Sequence, residues 1–140
     1  MTYLLDTNVI SELVTRQPNP RVIAWVDALD PQEIYLSVIT IGELAKGIEK
    51  LPASTRKDTL LDWLDSDLLL RFSGRILSVD TATMRTWAML TAQLERVGRP
   101  LPVIDSIIAA LALQHRFILA TRNSADFQDT GVDLVNPWQE

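Results

Sequence analysis

The chain has 140 residues, of which 47% are apolar and 22% are charged, and its formal net charge is −5. This length and composition predict one folded domain, residues 1–140, and exclude a disordered chain. The absence of cysteine excludes thiolate chemistry, and the lack of a signal sequence or of an apolar run long enough to span a membrane predicts a cytoplasmic protein.

The net charge counts against a nucleic-acid partner without excluding one. A nucleic-acid-binding protein is usually basic, because neutralisation of phosphates supplies most of its affinity. Here, however, ten of the thirteen cations are arginine, the better phosphate ligand, and four aspartates are concentrated in residues 58–67. Bound metal ions would also offset some of the carboxylates.

The first third of the chain alternates apolar runs with helical periodicity. Residues 3–6 predict a strand, followed at once by a helix over 7–14, which the prolines of QPNP end. Helical spacing resumes over residues 21–29, and the β-rich run IYLSV at 34–38 predicts a second strand.

The middle of the chain predicts three helices and a strand. A helix that begins near Ile39 ends no later than Pro52, and residues 55–72 predict one long amphipathic helix. The run RILSV at 75–79 predicts a strand, after which Asp80 caps a helix that extends to about residue 97.

The last third contains the most apolar helix of the chain. Residues 103–114 are apolar on nearly all sides, which predicts a buried helix. We expect its few polar residues, Asp105 and Ser106, to face a cavity or a partner. Two further strands are predicted at residues 117–121 and 132–135.

Strands that alternate with helices and read as continuous apolar runs predict an α/β fold with a parallel sheet covered on both faces. In such sheets the functional site lies outside the carboxyl ends of the strands. Asp6 ends the first strand, and Thr121, Arg122 and Asn123 lie at the end of the fourth. If these two strands are near neighbours, all four residues open into one crevice.

Asp6 has two interpretations. Aspartate is a favourable helix N-cap, and by accepting a hydrogen bond from the Asn8 or Val9 amide it would contribute about 1 kcal/mol. The same carboxylate is placed to bind a metal ion, with Thr7 and Asn8 as the groups that hold it in position. The residues alone leave both interpretations open.

Glu43 and Asp105 each have a structural alternative as well. Thr40 and Glu43 match a capping box, but Ser37 is an equally good cap, and a helix that starts there places Glu43 in the second turn. Asp105 lies in the first turn of its helix, where the helix dipole favours a negative charge. It is also one of the few polar groups on a buried helix, which favours a functional role.

Several other polar or aromatic residues have weaker signals. Asp126 looks like a solvated loop carboxylate, and Asn123 competes with it because Asn123 is closer to the strand end. His115 is interpreted as a partner of the helix dipole. The four tryptophans have the spacing of core residues rather than of a stacking surface. With one histidine and no cysteine, carboxylates remain the candidates for chemistry.

Four segments and a short C-terminal motif extend along the whole chain. They are LLDTNVISEL at 4–13, SVITIGELAKGI at 37–48, PVIDSIIAALAL at 102–113, ATRNSADF at 120–127 and NPW at 136–138. As an ordered set they resemble the PIN-domain family, specifically the VapC-type toxin ribonucleases and their FitB-like relatives. The resemblance implies a three-layer α/β/α fold with a mostly parallel sheet of four or five strands.

The resemblance also implies an endoribonuclease whose acidic site binds Mg²⁺ or Mn²⁺. It assigns metal-binding carboxylates to Asp6, Glu43 and Asp105. Some relatives carry aspartate directly after Thr-Arg, whereas this chain has Asn123 there, so the fourth catalytic acid is assigned to Asp126 with Asn123 as a neutral substitute. Side chains expected to hydrogen-bond the carboxylates or to meet the RNA backbone are Thr7, Asn8, Thr121, Arg122 and Asn123.

The physics of such a site agrees with this assignment. Carboxylates that converge in one crevice repel one another, and burial adds a further cost to their ionised forms. A hard divalent cation with oxygen ligands relieves both effects. It also makes a bound water more acidic, which suits in-line attack at phosphorus.

The implied partners are an RNA substrate and a VapB-like antitoxin. The family further implies a homodimer of toxin subunits, or a hetero-oligomer with the antitoxin. Candidate docking residues for the antitoxin are the pairs Trp25 with Leu29 and Trp63 with Leu64, for which core packing is the alternative.

Two other functions compete with the ribonuclease. A phosphatase acting through an aspartyl-phosphate at Asp6 needs a second aspartate two residues later, and this chain has Asn8 there. A PIN-like module that binds RNA or protein without cutting is suggested by the net acidity and by Asn123 after Thr-Arg.

Overall fold

Five parallel strands form one sheet in the computed structural model, which describes residues 1–140. The strands are β1 (Tyr3–Leu5), β2 (Ile34–Ser37), β3 (Ile76–Leu77), β4 (Ile118–Ala120) and β5 (Leu134–Val135). Their order is β3-β2-β1-β4-β5, and every neighbouring pair is parallel. β1 is therefore central, with Tyr3 opposite Ile34 of β2 and Ile118 of β4.

Seven α-helices connect the strands. They are α1 (Thr7–Val14), α2 (Pro20–Asp27), α3 (Val38–Glu49), α4 (Thr55–Asp62), α5 (Leu69–Arg71), α6 (Thr81–Arg96) and α7 (Val103–His115). A π-helical segment, Trp63–Leu68, joins α4 to α5, and short 3₁₀ turns span Pro31–Glu33 and Ser124–Thr130. None of these helices combines the length and the apolar character needed to cross a membrane.

The sheet separates two apolar clusters, one on each face. Alternation along β1 sends Leu5 into a cluster with residues of α1, α2, α3 and the π-helical segment, and sends Leu4 into a second cluster with α6 and α7. Leu4 and Leu5 are both fully buried. This arrangement confirms the predicted three-layer α/β/α fold with a parallel sheet.

Helix starts follow the capping residues in the sequence. Ser37 caps α3 by accepting a hydrogen bond from the Thr40 amide at 3.2 Å, and Asp80 caps α6 in a reciprocal capping box with Thr83. Asn19 caps α2, in which Pro20 occupies the first helical position, where its missing N–H has no effect. All three caps fix where the chain turns from a strand or loop into a helix.

Two sequence predictions differ from the structure. Residues 55–72 form α4, the π-helical segment and α5 in succession rather than one α-helix, although Leu64 and Leu68 are buried as an amphipathic helix requires. The predicted strands at 75–79 and 132–135 shorten to two residues each, because β3 and β5 are the edges of the sheet.

Arg75 is a buried cation at the amino end of β3, on the side of the sheet away from the carboxyl ends of the strands. Its guanidinium donates to the carbonyl oxygen of Ile34 at 2.6 Å and to that of Arg71 at 2.5 Å. Its carbon Cζ lies 5.1 Å from the centre of the Phe72 ring. The side chain is only 9% exposed, so these contacts replace the water that the guanidinium loses on folding.

Replacing Arg75 by methionine is expected to lower the free energy of unfolding by about 3 kcal/mol, because two hydrogen bonds from a charged donor are lost inside the protein. Chemical denaturation measures the change. Arg71→Met is the matched control: Arg71 is exposed and contacts the same Phe72 ring, with its Cζ 5.5 Å from the ring centre. We expect the control to change stability by no more than about 0.5 kcal/mol. Equal losses in the two variants would show that burial of Arg75 has no special importance.

Candidate active site

The carboxyl ends of β1, β2 and β4 open into a cleft of about 480 Å³. Four acidic side chains line the cleft: Asp6 after β1, Glu12 on α1, Glu43 on α3 and Asp105 on α7. The other lining residues are Thr7, Asn8, Ser11, Thr15, Arg122, Asn123 and Trp138. The cleft therefore lies outside the carboxyl ends of the strands, which is where a parallel α/β sheet has its functional site.

Asp6 is both a helix cap and a buried carboxylate of the cleft. Its oxygen Oδ1 accepts from the Thr7 amide at 2.8 Å, and Oδ2 accepts from the Thr121 hydroxyl at 2.8 Å. The capping amide is thus that of Thr7, not that of Asn8 or Val9 as the sequence suggested. Asp6 is only 5% exposed, and hydrogen bonds from protein groups to both of its oxygens fix the orientation of the carboxylate.

Glu43 lies in the second turn of α3, because Ser37 and not Thr40 caps the helix. The Thr7 hydroxyl donates to Glu43 Oε1 at 2.6 Å and lies 3.0 Å from the Thr40 hydroxyl. Glu43 is exposed, so its second oxygen remains open to the cleft. Thr7 therefore connects the start of α1 to the acid on α3.

Thr121 and Asn8 extend this hydrogen-bond network across the end of β4. Besides donating to Asp6, the fully buried Thr121 hydroxyl accepts from Asn8 Nδ2 at 3.3 Å and from the Asn123 amide at 3.1 Å. Asn8 Oδ1 accepts from the Arg122 amide at 3.3 Å. The side chains of Thr7, Asn8 and Thr121 thus take part in one hydrogen-bond network with Asp6 and Glu43, which Arg122 and Asn123 join through their backbone amides.

Asp105 faces the cleft from the first turn of α7, as the sequence indicated. The neighbouring Ser106 does not: it is buried, accepts from Trp87 Nε1 at 2.8 Å and donates to the Val103 carbonyl oxygen at 2.6 Å. Only one of the two polar residues of this helix start therefore serves the cleft, and the other joins α7 to α6.

The carboxylates influence one another's ionisation. Burial raises the pKa of Asp6, against the opposing effect of the hydrogen bonds from Thr121 and Thr7, and the negative charges of Asp105 and Glu43 raise it further. Burial is also the main cause of the raised pKa of Asp105, to which the charges of Glu43 and Asp126 add. Three elements that are distant in sequence thus bring like charges within electrostatic reach.

Asp126 and Asn123 occupy different places. Asn123 lines the cleft directly. Asp126 is exposed on the 3₁₀ turn that follows β4 and lines a neighbouring groove, which Asp105 shares. Asp126 is close enough for its charge to act on Asp105, but it does not line the cleft around Asp6.

The donor set of the cleft suits a hard divalent cation. All of its candidate ligands are oxygens, and Asp6, Glu43 and Asp105 repel one another without a cation between them. As they stand, no three acidic side chains lie close enough to hold one ion together. Mg²⁺ keeps several waters and binds only one or two carboxylates directly, so the open spacing fits a largely hydrated ion.

The sequence interpretation missed four residues of the cleft: Ser11, Glu12, Thr15 and Trp138. Glu12 follows Asn8 by four residues, so helical periodicity places both on the same face of α1. Trp138 belongs to the NPW motif, and only the position of the C-terminal turn beside Arg122 reveals its place in the cleft. Trp25 and Trp63 pack against the core as predicted, and His115 lies in the last turn of α7.

The arrangement argues against an aspartyl-phosphate at Asp6. Asn8, at the position where such a phosphatase needs an acid, is held by Thr121 and by the Arg122 amide.

The raised pKa of Asp105 predicts how stability depends on pH without metal. In the unfolded chain Asp105 has its ordinary pKa of 3.8, whereas in the folded state it binds its proton more tightly. Ionisation of Asp105 therefore destabilises the fold as the pH rises above 3.8 and through the raised pKa. In EDTA at pH 7, Asp105→Asn is expected to melt a few degrees above the wild type, and this gap should narrow as pH falls towards 3.8.

Thermal melting followed by circular dichroism measures both trends. Asp27→Asn, at an exposed position outside the cleft, controls for the general loss of one negative charge. A wild type that melts above Asp105→Asn at pH 7 in EDTA would contradict the repulsion described for this site.

Comparison with known proteins supports one family throughout. The sequence model of the PIN domain matches residues 3–132. The VapC ribonuclease Y4jK of Sinorhizobium fredii is 40% identical over 136 residues, which cover 97% of this chain and 97% of that protein. The toxin FitB of Neisseria gonorrhoeae is 39% identical over 137 residues, covering 98% and 99%.

A solved structure agrees with these matches. The crystal structure of FitAcB from Neisseria gonorrhoeae superimposes with a TM-score of 0.96 at 39% identity and covers 99% of this chain and 100% of that chain. The match thus extends over the sheet, both helical layers and the cleft at the carboxyl ends of the strands. The chain belongs to the PIN-domain family.

Proposed function

We propose that this chain is an endoribonuclease toxin that hydrolyses RNA phosphodiester bonds with a largely hydrated Mg²⁺ or Mn²⁺ held by Asp6, Glu43 and Asp105, directly or through its bound waters. The observation that carries the proposal is that β1, α3 and α7 each deliver one of these acids to the same cleft. Their mutual repulsion and the burial of Asp6 favour occupation by a divalent cation. The VapC ribonuclease and FitB toxin among the relatives support the same activity.

The side chains divide the work according to their burial. Asp6, fixed on both oxygens, provides a rigid ligand, while Asp105 approaches from the start of α7. Glu43 is held by Thr7 through one oxygen only, and its exposed second oxygen is the group we assign to orient the attacking water or to accept its proton. A divalent cation bound there would supply a more acidic water and stabilise the charge that develops on the phosphate.

We further propose that a VapB-like antitoxin controls this activity and that the toxin forms dimers. The FitAcB structure, a relative at 39% identity, supports a complex of this type. An apolar groove next to the cleft, lined by residues of α1, α3 and α4 and by Trp63, suits a docked partner. Leu64, which the sequence offered as a docking residue, is buried in the core and does not serve, and Trp25 and Leu29 pack against the same core.

Purified, antitoxin-free protein is expected to cleave RNA in Mg²⁺ or Mn²⁺ and to lose this activity in EDTA. Asp6→Asn should lower the cleavage rate at least about 100-fold, since changes even to the partners of metal ligands reduce activity 10–100-fold. The metal should also raise the melting temperature of the wild type, because an ion that binds only the folded state stabilises it. Asp6→Asn should lose most of that rise.

Asp62→Asn, an exposed aspartate of α4 outside the cleft, is the matched control and should retain both activity and the metal response. Cleavage by Asp6→Asn at the wild-type rate would contradict the assignment. A wild type that binds RNA but shows neither cleavage nor a response to metal would instead indicate the non-cutting RNA-binding module.

Asp126 is expected to contribute less than the three acids of the cleft. It acts on Asp105 from the neighbouring groove, so Asp126→Asn should lower the cleavage rate by about tenfold, in the range of changes around a metal ligand. Asn123→Asp places a carboxylate in the cleft itself and should lower the metal concentration needed for half-maximal activity. Metal titrations of the cleavage rate measure both effects. An Asp126→Asn loss as large as that of Asp6→Asn would place Asp126 among the direct ligands.

A further inference from the structure

We propose that Arg122, supported by the indole ring of Trp138, binds a phosphate of single-stranded RNA at the mouth of the cleft, and that Trp138 is the residue that positions it. This inference rests on the proposed ribonuclease function and identifies how an acidic cleft holds a polyanion. It concerns a pair of side chains separated by fifteen residues in sequence and joined only by the fold.

Arg122 is the only cation that lines the cleft, which also contains four acids. Its side chain is exposed, and neither of the two ion pairs in the structure, Met1 with Glu33 and Arg99 with Asp129, includes it. A guanidinium that remains unpaired among acidic neighbours has its N–H donors free for another anion. The planar fork of these donors matches the oxygens of a phosphate.

The Trp138 ring explains why Arg122 does not pair with the acids around it. Arg122 Cζ lies 5.2 Å from the centre of the indole, within the range of a cation–π contact. A guanidinium that stacks on an aromatic ring keeps the N–H groups at its edge available for hydrogen bonds. Without the ring, the side chain would be free to fold onto the carboxylates of the cleft and to compete there with a divalent cation.

The backbone on both sides of this contact is fixed by asparagines. Asn136 is buried, and its Nδ2 donates to the Arg122 carbonyl oxygen at 3.1 Å while its Oδ1 accepts from the Trp138 amide at 2.9 Å. On the other side, Asn8 Oδ1 accepts from the Arg122 amide at 3.3 Å. Arg21 donates to the Trp138 carbonyl oxygen at 3.3 Å, which holds the C-terminal turn in place.

These contacts place one charge in a defined position beside the acids. Asn8 also bonds Thr121, which in turn bonds Asp6, so Arg122 and the Asp6 carboxylate belong to one continuous hydrogen-bond network. A phosphate bound by Arg122 would therefore have a fixed position relative to the acids. Positioning of this kind is a large part of catalysis in phosphodiester cleavage.

The test measures binding of an end-labelled, single-stranded RNA of mixed sequence by fluorescence anisotropy over a range of salt concentrations. All variants carry Asp6→Asn so that the RNA stays intact. Arg122→Ala should weaken binding about tenfold at low salt, as expected for a charged hydrogen-bonded contact. It should also reduce the slope of log affinity against log salt by about 0.7, the value for one contact to a single strand.

Trp138→Ala should weaken binding about threefold, consistent with the loss of a cation–π contact to the exposed Arg122, and Trp138→Phe should restore it. The decisive comparison is Arg122→Ala with Arg122→Ala/Trp138→Ala. If Trp138 acts through Arg122, the double variant binds no worse than Arg122→Ala alone. Independent, multiplying losses would overturn the positioning role. Melting temperatures of every variant separate these effects from unfolding.

Arg85→Ala is the matched control, because Arg85 is exposed and lies far from the cleft. It is near the start of α6, where Thr83 hydrogen-bonds Gln114. Gln114 is at the end of α7, and Asp105 is at the start of the same helix. It should leave the affinity and the salt slope unchanged. In the active background, Arg122→Ala should raise KM for RNA more than it lowers kcat.

The two proposals fail in different ways. If wild-type protein cleaves RNA while Arg122→Ala keeps the same KM and salt slope, the inference about Arg122 is wrong and the ribonuclease function stands. If the wild type does not cleave, but binding depends on Arg122 and Trp138 as described, the pair is an RNA-binding site and the nuclease assignment is wrong.

Discussion

Burial of the Asp6 carboxylate at the end of the central strand is the constraint on which the rest of the site depends. A carboxylate that is 5% exposed loses most of its hydration, and burial accordingly raises its pKa. The Thr7 amide and the Thr121 hydroxyl replace part of that hydration, one from α1 and one from the end of β4. Both donors exist only because β1 pairs with β4 and passes directly into a helix.

The same constraint explains why the site is better suited to binding than to stability. Asp105 and Glu43 lie near enough to oppose the ionisation of Asp6, although α3 and α7 could present apolar residues there at less cost. The hydrogen bonds that reach Glu43 and Asp6 do not neutralise the charge; they fix where it lies. A cluster of oriented, unneutralised carboxylates suits a divalent cation. Without the cation, repulsion among these carboxylates lowers the stability of the fold.

Much of the fold could be predicted from the sequence because its elements differ sharply in pattern. The start of α1 directly after Asp6 and the apolar run at residues 117–121 follow from residue type. They predicted one crevice on the condition that the two strands are near neighbours, and β1 does pair with β4. The π-helical turn at residues 63–68 could not be predicted, because Leu64 and Leu68 have the same spacing as in an α-helix. The short edge strands depend on how the sheet ends, which no local pattern records.

The limits of prediction within the site have the same origin. Ser37 and Thr40 are equivalent caps in sequence, and tertiary contacts decide between them: Thr40 is buried and meets the Thr7 hydroxyl, so the helix begins earlier. The separation of Asp126 from Asn123 depends on the 3₁₀ turn that follows β4.

The cleft therefore consists of two parts with different physical origins. The acids are delivered by the strand ends and helix starts of a parallel sheet, so their positions follow from topology. Arg122 is instead held by Asn8, Asn136 and Trp138, which come from opposite ends of the chain. Because the aromatic ring and the amide side chains are neutral, they fix this cation without reducing its charge or that of the acids. Neutral contacts of this kind allow opposite charges to remain unpaired within one cleft, available to a metal ion on one side and to a phosphate on the other.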